Sequence, residues 1–452
     1  RDFPELLTML GKVDAVHGVY YMLMYGWTRI FGLSELSLRT PSLIAVAVAA
    51  GLLMALGRRL GGTAYGVSAA FIFVILPRVQ YVATDARSYA KTVLGAVLAS
   101  YLLVLIRESP SKLRWLWYGL TGLLTVSLSF YAVLVLAAHG VTLLVDGRLR
   151  KQWRGMALAS IGWLAPAAIV AAIASRQQFQ IAWVPPIGES TPYEVAFVQF
   201  FSDAYYSTAN LLSSPKPTPG EDFSTYGLAA IVWVAALAGA ILARKHFAIK
   251  LALPWLVLPL ALVIIGSAIM GRGYYLPRYV SFELASLPML AAAPLLARPL
   301  GRRLHQGWLA VPLAAVLAIS LPSYVGQRTE YGRIEGDDFR FIAQTIHKSA
   351  HPGDAFVISN DRDMAFKAYP EDFQGLHDPT MARPAAQWGR IFDRRYDVRT
   401  ARNRILKYDT VWVVEITTKT SARNAMEAIG YAPKRQFMGP TTSVTEFQRT
   451  RP

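Results

Sequence analysis

The sequence predicts an α-helical polytopic membrane protein with a small α/β domain at its C-terminal end. Of the 452 residues, 54% are hydrophobic and only 17% are charged, a balance that a soluble globular protein does not reach. The charged residues stand between long apolar blocks instead of along one stripe of each helix. Beyond about residue 326 the apolar blocks give way to mixed segments, which indicates a second fold.

About ten apolar segments are candidates to cross a membrane, although several are short for a full crossing. They are residues 38–57, 63–77, 88–106, 114–128, 130–146, 156–175, 224–243, 248–268, 277–298 and 308–324.

Lys and Arg residues follow every second apolar segment, which predicts the orientation of the chain. Five basic loops in alternation place that side in the cytoplasm. The opposite, outer side then holds residues 1–37, 78–87, 176–222, 269–276 and everything after about 326. The net charge of +17 is therefore a topology signal, and no nucleic-acid partner is predicted.

Residue 1 is an Arg on the outer side, so we expect a further transmembrane helix upstream and about eleven spans in the native protein.

Three regions are predicted. Residues 1–37 form a first outer loop with an interfacial helix over 15–31, whose Tyr and Trp content suits the membrane surface. Residues 38–326 form the transmembrane module with the long outer loop 176–222, and residues 327–452 form a soluble α/β domain. The alternative for 15–31 is a short crossing helix, which would turn the basic loops outward.

The first outer loop places Asp14 and His17 one turn apart beside Tyr20 and Tyr21. A carboxylate and an imidazole at this spacing are suited to proton transfer. The alternative is that Asp14 only caps the following helix.

Two further outer segments carry cations next to tyrosines. YVATDARSYAK holds Asp85, Arg87 and Tyr89, and GRGYYLPRYV holds Arg278 and Tyr279. A guanidinium offers a planar fork of donors that matches phosphate oxygens. The alternative for Arg87 is that a cation near a helix end snorkels to the surface, and the alternative for Arg278 is that it anchors its helix together with the neighbouring aromatic residues.

The long outer loop carries Trp183 near Pro185 and Pro186. Such a loop could close over a bound molecule and place an aromatic ring against a sugar face, or it could be a packed connector. His139, within an apolar segment, is expected to be a hydrogen-bonded packing residue.

The C-terminal region is predicted to contain three helices and three strands. The helices are 337–349, one near 396–406 and one near 420–429, and the strands are 354–359, 409–415 and a terminal strand around 443–448. They indicate a two-layer or three-layer sheet domain.

The sequence has no cysteine, which excludes disulfides and Cys-based zinc sites. No nucleotide-binding motif or metal-spaced His cluster occurs either, so no cofactor and no metal are predicted. The charged runs of the C-terminal region are interpreted as solvated faces or as a surface for a polysaccharide or protein acceptor.

Three motifs resemble the GT-C fold glycosyltransferases that use polyprenyl-phosphate sugars, in the protein O-mannosyltransferase and aminoarabinose-transferase branch. VDAVHGVYYMLMYGWTRIFGLSELSLRTPSLI resembles that branch's D-x-H-P-P-L-Y-Y segment followed by W-x-x-x-F-G and R-x-P-S. PRVQYVATDARSYA is similar to its acidic-x-R-x-Y loop, and LPRYV to its late P-R-Y.

The resemblance implies metal-independent, inverting transfer of a sugar from a polyprenyl-phosphate donor to a cell-envelope glycan, lipid or protein acceptor. Mannose is favoured and arabinose is an alternative, and the setting is the outer face of a bacterial inner membrane. It implies that Asp14, His17 and Asp85 are catalytic, and that Arg87, Arg278, Tyr279 and Tyr89 bind the donor phosphate. Tyr20, Tyr21 and Trp183 would line the sugar or acceptor cavity.

Two positions depart from the family's pattern. The acidic pair that supplies its principal general base is not in the sequence and is expected upstream of residue 1. Gly18 replaces the first Pro of the His-Pro-Pro element. The alternative function is a transporter or flippase of a lipid-linked sugar, which should carry polar residues along a path through the bilayer.

Overall fold

The computed structural model describes residues 2–202, 223–297, 310–330, 338–359 and 362–450. The chain divides into two compact units. Asp14–Gly332 form the first, and Arg1–Val13 together with Arg333–Pro452 form the second. Much of the outer loop 176–222 and the predicted span ends at 298 and 308–309 lie outside the described residues.

The first unit is built from helices, and each of the ten predicted apolar segments is mainly helical where it is described. The longer helices are Gly18–Phe31, Glu35–Gly61, Thr63–Ile75, Pro77–Ala83, Tyr89–Glu108, Lys112–Leu128, Val133–Val145, Trp153–Ala174, Phe223–Leu242, Phe247–Met270, Pro277–Glu283, Ser286–Ala292 and Ala310–Gly326. The prediction of an α-helical polytopic membrane protein is therefore confirmed.

Among the described residues, five helices are long and apolar enough to cross a membrane. Two bent pairs bring this number to seven if each pair is one span, and two shorter apolar helices accompany them. The predicted span 63–77 is the first half of one such pair, Thr63–Ile75 with Pro77–Ala83, which is bent by 70°. The bend follows from Pro77, because the residue before a proline is pushed out of the helical region. Leu76 accordingly has φ −59° and ψ 128°.

The predicted span 277–298 is also a bent pair. Pro277–Glu283 and Ser286–Leu296 meet at 51°. This bend places the start of the segment, which carries Arg278, on a separate short 3₁₀ helix.

The predicted segment 1–37 contains two helices that belong to different units. Phe3–Lys12 begins with a capping box of Asp2 and Glu5, and its Lys12 donates a hydrogen bond to the Trp388 carbonyl of the C-terminal unit (3.1 Å). The division between the two units falls after Val13, within this predicted segment. Gly18–Phe31 has 14 residues, about 21 Å of helix, which is less than the roughly 30 Å of a hydrocarbon core. Its interfacial position stays a prediction.

The C-terminal unit is a three-layer α/β/α sandwich. Its strands are β1 (Ala355–Ile358), β2 (Met381–Arg383), β3 (Arg394–Arg395), β4 (Thr410–Ile416), β5 (Tyr431–Met438) and β6 (Thr442–Arg449). Among the described residues, four of them form one sheet in the order β1-β4-β6-β5, in which β1 and β4 are parallel and the other pairs antiparallel. Phe339–Ser349 covers one face, where Phe356 and Trp412 lie, and Ser421–Ala428 covers the other, where Val357 and Val413 lie.

Two sequence predictions for this unit were wrong. The helix near 396–406 is only Arg402–Ile405, because the Asp397 carboxylate closes a turn over Thr400 with bonds of 2.9 and 2.7 Å. Strand β5 was not predicted, since Pro433 and the charges after it disfavour a strand. The structure accommodates them at the sheet edge with a bulge between Pro433 and Arg435.

Asp338 joins the start of this unit to strand β6. The residue is buried, and its carboxylate accepts hydrogen bonds from the backbone N–H groups of Thr441 (3.2 Å) and Thr442 (3.0 Å) and from both hydroxyls. We expect Asp338→Ala to lower the free energy of unfolding of this unit by about 2–3 kcal/mol, because it leaves buried donors without an acceptor. Thermal unfolding, monitored by limited proteolysis of the C-terminal unit, measures this loss of stability.

Asp372→Ala is the matched control. Asp372 pairs with the exposed His347 (3.2 Å), and an exposed pair contributes little. Equal stability of the two variants would contradict the role given to Asp338.

Candidate active site

The site begins at Asp14, where the chain makes a sharp turn. Asp14 is the one non-glycine residue with positive φ among those described (φ 60°, ψ 28°). Two glutamines from the segment after Trp153–Ala174 fix the turn: Gln180 accepts from the Asp14 N–H (2.9 Å) and Gln177 from the Ala15 N–H (3.1 Å). The Asp14 side chain makes no capping bond, so the alternative of a helix cap is wrong.

Asp14, Tyr21 and Arg87 form a chain of hydrogen bonds. The Tyr21 hydroxyl donates a hydrogen bond to Asp14 Oδ2, and Arg87 Nη1 donates to the same hydroxyl at 3.0 Å. One phenol thus links the first outer segment to the second.

His17 lies among the aromatic rings of both segments. Its ring meets Tyr21 edge-on at a centroid distance of 6.5 Å and Tyr89 at 6.4 Å, and Nδ1 is shielded from solvent. Burial lowers the pKa of His17 from 6.5 to about 4; the Asp14 carboxylate opposes the change, while Arg87 and Arg278 add to it. His17 is therefore a neutral imidazole at physiological pH.

The second segment is fastened to the helix Glu35–Gly61 through Ser42. The Ser42 hydroxyl donates to the Asp85 carbonyl and accepts from Lys91 Nζ at 2.7 Å. Lys91 Nζ also lies 5.0 Å from the ring centroid of Tyr20. Asp85 is 9% exposed, and its carboxylate interacts electrostatically with Lys91.

Arg278 lies between two aromatic rings. Its guanidinium carbon is 5.3 Å from the ring centroid of Trp183 and 5.5 Å from that of Tyr279, and the residue is 5% exposed. The guanidinium is thus buried beside two aromatic rings, and the alternative for Arg278 remains an aromatic and basic anchor for its helix. Its charge faces the site, where it acts on His17.

Gly273 allows the segment around Trp183 to reach this position. A Cβ at residue 273 would lie 2.1 Å from the Pro185 carbonyl oxygen and 2.5 Å from that of Val184. The backbone of the GRGYYLPRYV segment therefore packs directly on the Val184–Pro185 backbone, which only glycine permits.

The three predicted segments therefore meet, and all ten candidate residues lie in the first unit. A second set of buried polar residues was missed: Arg78, Glu194, Gln199, Tyr275 and Glu283. The acidic Glu283 inside an apolar segment was the signal that could have found it.

His139 is a packing residue, as predicted, with bonds to Ser100 (3.0 Å) and Tyr118 (2.9 Å). The described residues contain no cluster of three His, Asp or Glu side chains that could hold a metal ion.

The low pKa of His17 gives a prediction for pH dependence. Since its folded-state pKa is about 4, His17 does not change charge between about pH 5 and 8. We expect kcat/KM for the reaction at this site to show no inflection near pH 6.5 that depends on His17, and His17→Asn to keep the shape of the wild-type profile. An inflection near pH 6.5 that this variant removes would contradict the neutral imidazole.

The chain has the GT-C fold of multi-pass membrane proteins, as its similarity to solved structures of that class shows. Two solved structures of ArnT from Cupriavidus metallidurans are similar to it over 95% of this chain and 86% of theirs. The apo state has a TM-score of 0.53 at 14% identity, and the state bound to undecaprenyl phosphate 0.52 at 13%. The arabinofuranosyltransferase AftD from Mycobacteria is similar over 96% of this chain and 36% of that chain, at 14% identity and a TM-score of 0.48.

No protein-family model matches the sequence, and no curated protein matches it.

Proposed function

We propose that the protein is a membrane glycosyltransferase that moves a sugar from a polyprenyl-phosphate donor to a cell-envelope acceptor. The observation that carries the proposal is the meeting of Asp14, Arg87 and Arg278 around one neutral histidine in a GT-C fold. Carboxylate, phenol and two guanidiniums at one place match the two tasks of the reaction. One is to activate a hydroxyl, and the other is to stabilise a departing phosphate.

The donor class is supported by chemistry and by similarity. Arg87 and Arg278 supply two positive charges, and a guanidinium binds phosphate oxygens through a planar fork of donors. One of the similar ArnT structures is bound to undecaprenyl phosphate. A polyprenyl-phosphate sugar would place its phosphate at these arginines and its chain against the apolar helices.

The proposed reaction is a single displacement. Among the carboxylates of this sequence we assign the role of base to Asp14, a role that the resemblance gives to an acidic pair upstream of residue 1. Asp14 accepts the proton of the acceptor hydroxyl as the acceptor oxygen bonds to the anomeric carbon. The bond from that carbon to the phosphate oxygen breaks, and both its electrons go to the phosphate. Arg87 and Arg278 stabilise the new charge, Tyr21 holds the Asp14 carboxylate, and the configuration at the anomeric carbon inverts.

The sugar, the acceptor and the location complete the proposal. Mannose is favoured from the resemblance of the sequence motifs, with arabinose as the second choice, and the acceptor is an envelope glycan, lipid or protein. The alternating basic loops support a site and a C-terminal domain on the outer face of a bacterial inner membrane.

A transfer assay with two donors tests the proposal. Purified protein is incubated with radiolabelled polyprenyl-phosphate mannose or polyprenyl-phosphate arabinose and with an envelope fraction that supplies acceptors. We expect the label from one donor to move to the acceptor fraction. Tight donor binding without transfer from either donor would overturn the proposal in favour of a transporter.

A further inference from the structure

The C-terminal unit contains a cleft of about 640 Å³ that is separate from the site described above. Its floor includes Val357 and Ile358, at the carboxyl end of β1, and its side is formed by the helix Ser421–Ala428, which follows the neighbouring parallel strand β4. Crevices beyond the carboxyl ends of parallel strands are the usual ligand sites of α/β sheets. The volume falls within the roughly 300–1,000 Å³ typical of small-molecule sites.

The cleft is lined by buried apolar residues, by buried polar residues such as Thr380 and Arg395, and by exposed residues. Val357, Ile358 and Val398 are buried in the floor. Tyr396 and Asn424 of the lining are exposed. Tyr396 is 45% exposed, and the guanidinium carbon of Arg404 lies 5.7 Å from its ring centroid, which leaves the opposite face of the ring for a ligand. An accessible aromatic ring beside amide and hydroxyl groups matches a sugar, whose C–H face is apolar and whose hydroxyls need hydrogen bonds.

The charges around the cleft are already compensated, which disfavours an anionic ligand. The buried Arg395 is paired with Asp378 and with Asp393 (3.5 Å). The N-terminus of Ser421–Ala428 is also occupied, because Glu415 accepts from the N–H groups of Ala422 (3.1 Å) and Arg423 (3.3 Å).

At the rim, Asp397 and Arg399 contribute one charge of each sign. The lining is therefore close to neutral and offers no unused anion-binding helix end.

We infer that this cleft binds a neutral sugar unit of a glycan, with Tyr396 as the stacking platform and Asn424 as a hydrogen-bonding partner. Its use to hold a glycan acceptor rests on the proposed function, whereas the binding itself does not. Tyr396 stands in the sequence DRRYDVRTARNR, so the cleft gives one of the charged runs of this domain a specific role.

Binding of neutral oligosaccharides to the full-length protein tests the inference. The probes are a manno-oligosaccharide and an arabino-oligosaccharide, each titrated without donor into wild type and variants in detergent and followed by saturation-transfer NMR. We expect binding of at least one probe, and about tenfold weaker binding by Tyr396→Ala, because stacking against the ring is lost. Tyr396→Phe keeps the ring and should bind within about threefold of wild type.

Phe392→Ala is the control, since Phe392 is an aromatic of similar exposure (50%) that does not line the cleft. Failure of both probes to bind, binding that Tyr396→Ala leaves unchanged, or displacement by inorganic phosphate would each overturn the inference. Because no donor is present, these outcomes are independent of sugar transfer. An active transferase whose cleft binds no sugar would overturn this inference alone.

Discussion

Replacement of Arg278 by alanine is expected to lower kcat/KM for sugar transfer by about 10²–10³-fold, the usual loss when one group that stabilises a developing anion is removed. Arg278 is 5% exposed and held between Trp183 and Tyr279, so its guanidinium reaches the reaction already oriented. Arg278→Lys keeps the charge and loses the planar fork, and we expect it to recover only part of the rate. Initial rates over a range of donor concentrations measure both variants.

Arg272→Ala is the matched control for this prediction. Arg272 belongs to the same segment, GRGYYLPRYV, but it is exposed and donates a hydrogen bond to Gln178 (3.1 Å). This variant should retain activity within about twofold, as expected for a surface substitution. A folded Arg278→Ala enzyme with the wild-type rate would remove Arg278 from the phosphate site.

The second large effect is expected at Asp14. Asp14→Asn should lower kcat by about 10²–10⁴-fold, the range for loss of a general base, and leave donor binding unchanged. Asparagine is a sharp test here because it tolerates the positive φ of residue 14 and can still accept the hydrogen bond of Tyr21. The variant therefore removes basicity with little change in structure.

Two companion variants assign the base. Tyr21→Phe removes only the hydroxyl that holds the carboxylate, so we expect a smaller loss of about tenfold. Asp85→Asn tests the other carboxylate of the site. Full activity in Asp14→Asn with a large loss in Asp85→Asn would transfer the role of base to Asp85.

Much of the fold could be predicted because length and hydropathy decide it. The ten apolar segments are all mainly helical where described, since a membrane leaves few other solutions to a long apolar run. The two bent helix pairs could not be predicted from hydropathy, because hydropathy carries no information on a change in the direction of the helix axis within one apolar segment. Pro77 was the local signal for one of them.

The sequence predicted which segments form the site, but it did not predict which side chains contact one another there. Carboxylates, arginines and tyrosines in outer loops indicated which residues matter, whereas their partners depend on chain segments far apart in sequence. The bonds of Gln177 and Gln180 to the turn at Asp14 cross more than 160 positions. The same holds for the stacking of Trp183 on Arg278, which needs the absence of a side chain at Gly273.

A transferase breaks the bond between the sugar and the phosphate and forms a bond between the sugar and the acceptor. A single-turnover reaction in detergent tests most directly whether this protein does so. Micelles have no second compartment, so a transporter has no product there. Purified protein in excess over radiolabelled polyprenyl-phosphate sugar, with acceptor present, should release polyprenyl phosphate and label the acceptor in equal amounts. Recovery of the intact donor with every candidate sugar and acceptor, from protein that binds it, would contradict the account.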